Sequence, residues 1–148
     1  MIDIELVKKL REETQASIAD CRKALEDSNG DYDRAKDWLA KRGAEIAEKK
    51  ADRITSAGIV DSYVHNGKVG VLLTLLCETD FVVRTSEFKN LAHEIALQIS
   101  AMNPKNVKSL LEQEYIRDPK MTIEELIKQT IGKLGENIQV REFKRLEL

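Results

Sequence analysis

Between Gly58 and Cys77 the chain reads GIVDSYVHNGKVGVLLTLLC, two strand-like runs on either side of Asn66-Gly67. An Asn-Gly pair readily takes positive φ at both positions of a two-residue hairpin turn, so this stretch predicts an antiparallel pair. Pairing about that turn sets Val64 opposite Val69, Ser62 opposite Val71 and Val60 opposite Leu73, which makes one face almost wholly apolar. The other face then carries Ile59, Asp61, Tyr63, His65, Lys68, Leu72, Thr74 and Leu76 and is mixed. An apolar sheet face needs a cover. Phe88, Leu91, Ala92, Ile95, Ala96, Ile99 and Met102 recur at helical spacing, with Ser86 as N-cap and Pro104 beyond the end, and predict that cover.

Beyond it, a short helix is expected near 106–116. Asp118-Pro119 then leads into Thr122-Ile123-Glu124-Glu125, a capping box opening a helix that Gly135 ends, and a last strand follows over Asn137–Phe143. Upstream the period is helical throughout. Ile4, Val7 and Leu10, then Ile18, Cys21 and Leu25, then Tyr32, Ala35, Trp38 and Leu39 mark three short helices, with Asn29-Gly30 as a turn, Asp31 as a cap and Gly43 as a stop. AEIAEKKADRITSA carries a narrow alanine-rich stripe and reads as a connecting helix. The expected architecture is α+β: a three-helix module over 1–42, a connecting helix over 43–57, and an α/β core over 58–148 with about three strands.

Composition narrows the function. Although 34% of the residues are charged, the formal net charge is only −2, so no global basic field recruits nucleic acid. Cys21 and Cys77 lie far apart without CxxC spacing, and His65 and His93 do not complete a metal-ligand pattern; neither a bound metal nor a disulfide is expected. The opening MIDIELVKKLREE lacks the apolar stretch of a signal peptide and nothing approaches a membrane span, so the expected location is cytoplasmic. Nucleophilic catalysis by Cys77 would need a base. His93 with Glu94 is the nearby candidate, but its place beside the apolar stripe reads as a half-buried structural histidine. Glu78 and Asp80 share a face only if the strand continues that far, and NGKVG lacks the Lys-Ser/Thr end of a phosphate-binding loop. No catalytic residue and no cofactor is assigned.

The strand-like run stops at CETDFVVR, residues 77–84, where an acid stands beside a large aromatic. Two readings of Asp80 and Phe81 are open. A Phe after a strand commonly plugs the end of the core and an Asp there satisfies a turn. Alternatively the ring protrudes as a wedge that is buried only in a partner, with a carboxylate that competes for donors or repels phosphate oxygens.

ETDFV after a strand, LREETQASIADCRKAL in the first module and GENIQVREF near the end together resemble the translation elongation factor Ts family, the nucleotide exchange factors of the GTPase elongation factor Tu. The resemblance implies a first module like a ubiquitin-associated domain and an α/β core that grips the GTPase. It implies that Asp80 and Phe81, flanked by Thr79 and Val82, reach toward the partner's magnesium and phosphate site. Lys8, Arg11, Ile18 and Ala19 are the implied contacts of the first module. Ile18-Ala19 stand where the family commonly has a bulkier pair, often methionines, and Thr74 and Leu76 stand where it commonly has Glu and Asn. The second subdomain of longer members does not fit between Met102 and Leu148. A short core with Ile59, Tyr63, Leu72 and Leu76 on its uncovered face would then find its cover in a second copy, as a homodimer. Two other classes remain: a ubiquitin-associated-like interaction module without exchange activity, and a small-molecule enzyme with a pocket near Cys77 and His93.

Overall fold

The computed structural model describes residues 2–148, in the order α1 Ile4–Thr14, α2 Ile18–Asp27, α3 Tyr32–Lys50, β1 Ala57–His65, β2 Val69–Cys77, α4 Asp80–Val83, α5 Ser86–Met102, α6 Val107–Glu112, β3 Glu114–Tyr115, β4 Asp118–Thr122, α7 Ile123–Leu134 and β5 Gln139–Glu147. The fold is α+β, with helices first and antiparallel sheets packed with helices after them. Each of the first three helices opens on a side-chain cap: Asp3 accepts from the Glu5 amide, Ser17 from Asp20 and Asp31 from Arg34. Their apolar stripes close over Leu10, Cys21, Ala24, Leu25, Ala35 and Leu39.

Gly43 does not stop a helix. It lies inside α3, which runs unbroken for 19 residues, so the expected boundary at 42 falls within one helix and the connecting helix is its continuation to Lys50. A Cβ on Gly43 itself would meet nothing within 4 Å, and the tight contact falls on its neighbour across the helix crossing. A Cβ placed on Gly132 of α7 would lie 2.8 Å from the Cα of Gly43, an approach that real side chains do not make. Two helices cross at this glycine pair, and α3 supplies Leu39 to the first core and Ala47 to the second.

The hairpin forms, with a corrected register. Asn66 and Gly67 both take positive φ and the Lys68 amide donates to the His65 carbonyl, but Lys68 is left outside the ladder, so His65 pairs with Val69, Tyr63 with Val71 and Ile59 with Leu75. The Lys68 carbonyl is taken by the Leu148 amide instead. One residue of slip turns every β1 side chain over. Ile59 and Tyr63, expected outside, pack against the core with Val71, Leu73, Leu75 and Cys77, whereas Val60 and Val64 face out beside Leu72. Strand β5 completes the order β1-β2-β5, with Val140 and Phe143 on the inner face and a bulge opposite Thr74 and Leu75.

Helix α5 covers the inner face with Phe88, Leu91, Ala92, Ile95, Ala96 and Ile99. Its N-cap is Thr85, one residue before the expected Ser86, and its hydroxyl accepts from the Phe88 amide at 3.2 Å. The helix expected to reach 116 ends at Glu112, and a small β3-β4 hairpin follows. Gln98, fully buried on α5, explains that ending: its amide nitrogen donates to the Glu114 carbonyl and the Gln113 side chain, and its oxygen accepts from the Ile116 amide. A buried amide left without those partners would cost about 1–3 kcal/mol. The capping box at Thr122 and Glu125 and the left-handed Gly135 stop of α7 are as expected.

Candidate partner-binding site at the end of β2

Strand β2 leaves the sheet at Cys77, and after Glu78 and Thr79 the chain makes a single helical turn, α4. Successive residues of such a turn point about 100° apart, so a turn seated on the core buries some positions and presents others. Here Val82 is the buried one, at 7% exposure, while Phe81 is 78% exposed and Asp80 is exposed beside it. The core is plugged by Val82 and Phe88, and the ring of Phe81 is left in solvent with the Arg84 guanidinium 5.9 Å from its centroid.

The root of this turn is fixed from across the fold. One oxygen of the Glu136 carboxylate accepts from the Glu78 amide at 3.1 Å and the Thr79 amide at 2.9 Å; the other accepts from the Thr79 hydroxyl at 2.6 Å. Glu78 returns the bond, accepting from the Asn137 amide at 2.8 Å, and lies 3.6 Å from the Arg53 guanidinium. Asn137, itself buried, donates to the carbonyls of Ala51 and Arg53 beyond the end of α3. The ends of α3, β2 and α7 are thereby tied at one point. Glu136 and Asn137 come from the GENIQV stretch, whose visible signal was an acid and an amide directly after a helix-stopping glycine.

Two of the four residues expected around the wedge are placed otherwise. Val82 is corrected to a core residue because the helical turn rotates it inward, and Thr79 spends its hydroxyl on Glu136, so it anchors the turn and makes no side-chain cap for α4. On the first module Lys8, Arg11, Ile18 and Ala19 are all exposed, and Ile18 lies on the lip of a groove of about 930 Å³ between α1 and α2, with Ile4, Val7 and Leu25.

The elements of a nucleophilic site do not converge. Cys77 is buried and its thiol donates to the Thr79 carbonyl; burial first, and then the Glu136 carboxylate, push the thiol's pKa up, away from the thiolate a nucleophile needs. His93 is exposed, not half-buried, with its ring edge-on to Tyr63 at 6.0 Å. Cys77 pairs with Ala57, and Tyr63 lies six residues further along β1, about 20 Å away at strand spacing. Among the described residues no group of three or more His, Cys, Asp or Glu is placed to hold a metal, and no helix is long and apolar enough to cross a membrane.

Comparison with known proteins adds the family. The pattern described as Elongation factor TS matches residues 78–148. Elongation factor Ts of Thermoanaerobacter sp. (strain X514) is 40% identical over 193 aligned positions, covering 99% of this chain and 95% of that protein. The Nostoc sp. protein of the same name is 50% identical over 143 positions, covering 96% of this chain and 45% of its own, and the chloroplastic one of Rhodomonas salina is 41% identical over 194, covering 99% and 89%. An α+β fold with its helices first, matched in this way over nearly its whole length, is a translation elongation factor of the nucleotide-exchange class and not an enzyme. The chain belongs to the elongation factor Ts family. It is also short for it: the 193-position alignment exceeds its 148 residues by 45.

Proposed function

We propose that this protein releases GDP from elongation factor Tu by inserting Asp80 and Phe81 near the magnesium and phosphate site of that GTPase. The observation that carries the reading is an aromatic ring left 78% exposed on a turn whose root is held by three hydrogen bonds. A large apolar side chain kept in water on a fixed support retains its burial free energy for a partner, about 1.5–3 kcal/mol. The adjacent carboxylate adds competition for the donors and the metal that hold the phosphates. The coupling is reciprocal: a factor that binds the empty GTPase more tightly than the loaded one weakens nucleotide by the same ratio. A thousandfold faster release requires about 4 kcal/mol off the barrier. The ring supplies part of that, and Asp80 the remainder by disturbing magnesium and phosphate contacts.

The three-helix part contributes grip through Lys8, Arg11, Ile18 and Ala19, a second contact point displaced from the wedge. With bacterial and chloroplast relatives, action in the compartment where translation runs, the cytoplasm of a bacterium, fits the family. The deciding experiment follows release of labelled GDP from elongation factor Tu with and without this protein. Acceleration that saturates with factor concentration supports the reading, and an unchanged rate at all concentrations removes it.

The second part of the proposal is a twofold homodimer. Its face is the outer side of the sheet, corrected by the observed register: Val60 and Val64 of β1, Leu72 of β2 and Leu146 of β5 are exposed together, while Ile59 and Tyr63 are not part of it. The helices that pack on this sheet lie on its inner face, and a second copy brings a surface of the same shape and polarity.

A further inference from the structure

We infer that Glu136 is a positioning residue for the exchange step, acting on elongation factor Tu only through the turn that carries Asp80 and Phe81. This rests on the wedge reading above and deepens it. The turn itself is weakly built. It has four residues, its backbone bonds are long, with the Val83 amide 3.4 Å from the Thr79 carbonyl and the Arg84 amide 3.3 Å from that of Asp80, and Thr79 gives it no side-chain cap. One loosely bonded turn has little stiffness of its own, since a helix of this length lies below the size at which helix formation sustains itself.

Its direction is instead set at its first two residues. The Glu136 carboxylate takes both backbone amides and the one hydroxyl there, so the chain leaves β2 along a single path, and charge-assisted bonds of this kind are about twice as strong as neutral ones. Glu136 follows directly on Gly135, the left-handed stop of α7, and precedes Asn137, whose amide is held by Glu78. The acid therefore stands on a backbone that is itself fixed at both sides. Without it the amides of Glu78 and Thr79 would seek other acceptors and the turn would sample more than one direction. A wedge that reaches its site in only a fraction of encounters lowers the rate in the assembled complex. It leaves the grip of the first module, built from other residues, unchanged.

The test measures GDP release from elongation factor Tu over a range of factor concentrations, which separates the saturated rate from the half-saturating concentration. Glu136→Ala is expected to lower the saturated rate by about fivefold or more while the half-saturating concentration moves less than about twofold. Glu136→Gln keeps an oxygen for the two amides and a nitrogen for the Thr79 hydroxyl, so it is expected to stay within about twofold of the parent in both quantities. In a Phe81→Ala background Glu136→Ala is expected to add nothing, because the residue it positions is gone.

The inference is overturned if Glu136→Gln loses as much as Glu136→Ala, since restoring the bonds to the turn would then not restore the rate. It is equally overturned if the loss lies in the half-saturating concentration or adds fully to that of Phe81→Ala. Should Glu136→Ala fail to fold, Thr79→Val removes the hydroxyl bond alone and must show a smaller loss confined to the saturated rate; no loss overturns the proposal. The wedge reading fails separately, if Phe81→Ala exchanges nucleotide like the parent.

Discussion

Gly132 rests on Gly43 so closely that a Cβ added to it would come within 2.8 Å of the other glycine's Cα. This pair is where α7 of the core meets α3. Because the opposing atom is backbone, it cannot swing aside. An exposed helical Gly→Ala change ordinarily stabilises by about 0.5–1 kcal/mol through backbone entropy, whereas forcing a methyl into a filled contact costs about 1–3 kcal/mol. Gly132→Ala is therefore expected to lower the urea midpoint, and a raised midpoint would show that the crossing opens at little cost.

Removing the ring at Phe81 should separate activity from stability. Phe81→Ala is expected to lower stimulated GDP release at least tenfold, about 1.4 kcal/mol, while thermal unfolding moves by no more than a surface substitution does, about 0.5 kcal/mol. A large drop in melting temperature would make the ring part of the core after all.

Substitutions on the first module should do the reverse. Ile18→Ala, or charge reversal at Lys8 or Arg11, is expected to raise the concentration of factor needed for half-maximal exchange and to leave the saturated rate near that of the parent. An unchanged half-saturation point in all three would free these residues from the interface.

Tyr115 gives a pH test inside the core. Burial, and then a 3.0 Å hydrogen bond from its hydroxyl to the Glu94 carboxylate, push its pKa up to about 12. The unfolded chain has Tyr near the ordinary value of about 10, so the folded state holds the proton more tightly. That contribution is fully present below pH 10 and is lost as pH rises toward 12. Tyr115→Phe is expected to be less stable than the parent at pH 8 and to lose less stability between pH 10 and 12. Parallel curves for the two proteins over that window would contradict it.

Leu72 is the probe for self-association. It is half-exposed in the middle of the outer sheet face, opposite Ser62 on one side and Lys144 on the other. Leu72→Arg is expected to leave a folded monomer of 16.8 kDa in light scattering where the parent gives twice that mass. A parent that is monomeric at micromolar concentration ends the proposal.

What could be read in advance was local. The capping box at Thr122 and Glu125 is complete within four residues, and Gly135 needs only its own φ. The hairpin was equally visible at Asn66-Gly67, but its register depended on Lys68, whose carbonyl is claimed by Leu148 from the far end of the chain. Gly43 reads as a helix stop because glycine commonly ends helices; Gly132, whose close approach belongs to a helix running through that position, is distant in sequence. Phe81 was ambiguous for the same reason. Whether a ring plugs or protrudes depends on what else fills the space, and Val82 and Phe88 fill it. Glu136 shows locally only as an acid after a helix-stopping glycine; what it holds is not local, since its three donors lie nearly sixty residues away.

The unbroken run of α3 makes the angular relation of Ile18 to Phe81 a matter of residue count. Leu39 and Ala47 lie on one helix and belong to different cores, so the segment between them transmits rotation as a keyed shaft does. One residue inserted there would turn the first three-helix part by about 100° and move it about 1.5 Å along the axis. Seven inserted residues would nearly restore the phase, about 20° short of two full turns, but at a reach longer by about 10 Å. Insertions that a flexible tether absorbs thus become misalignments here, and the number of residues in α3 sets how Ile18 and Phe81 face relative to one another.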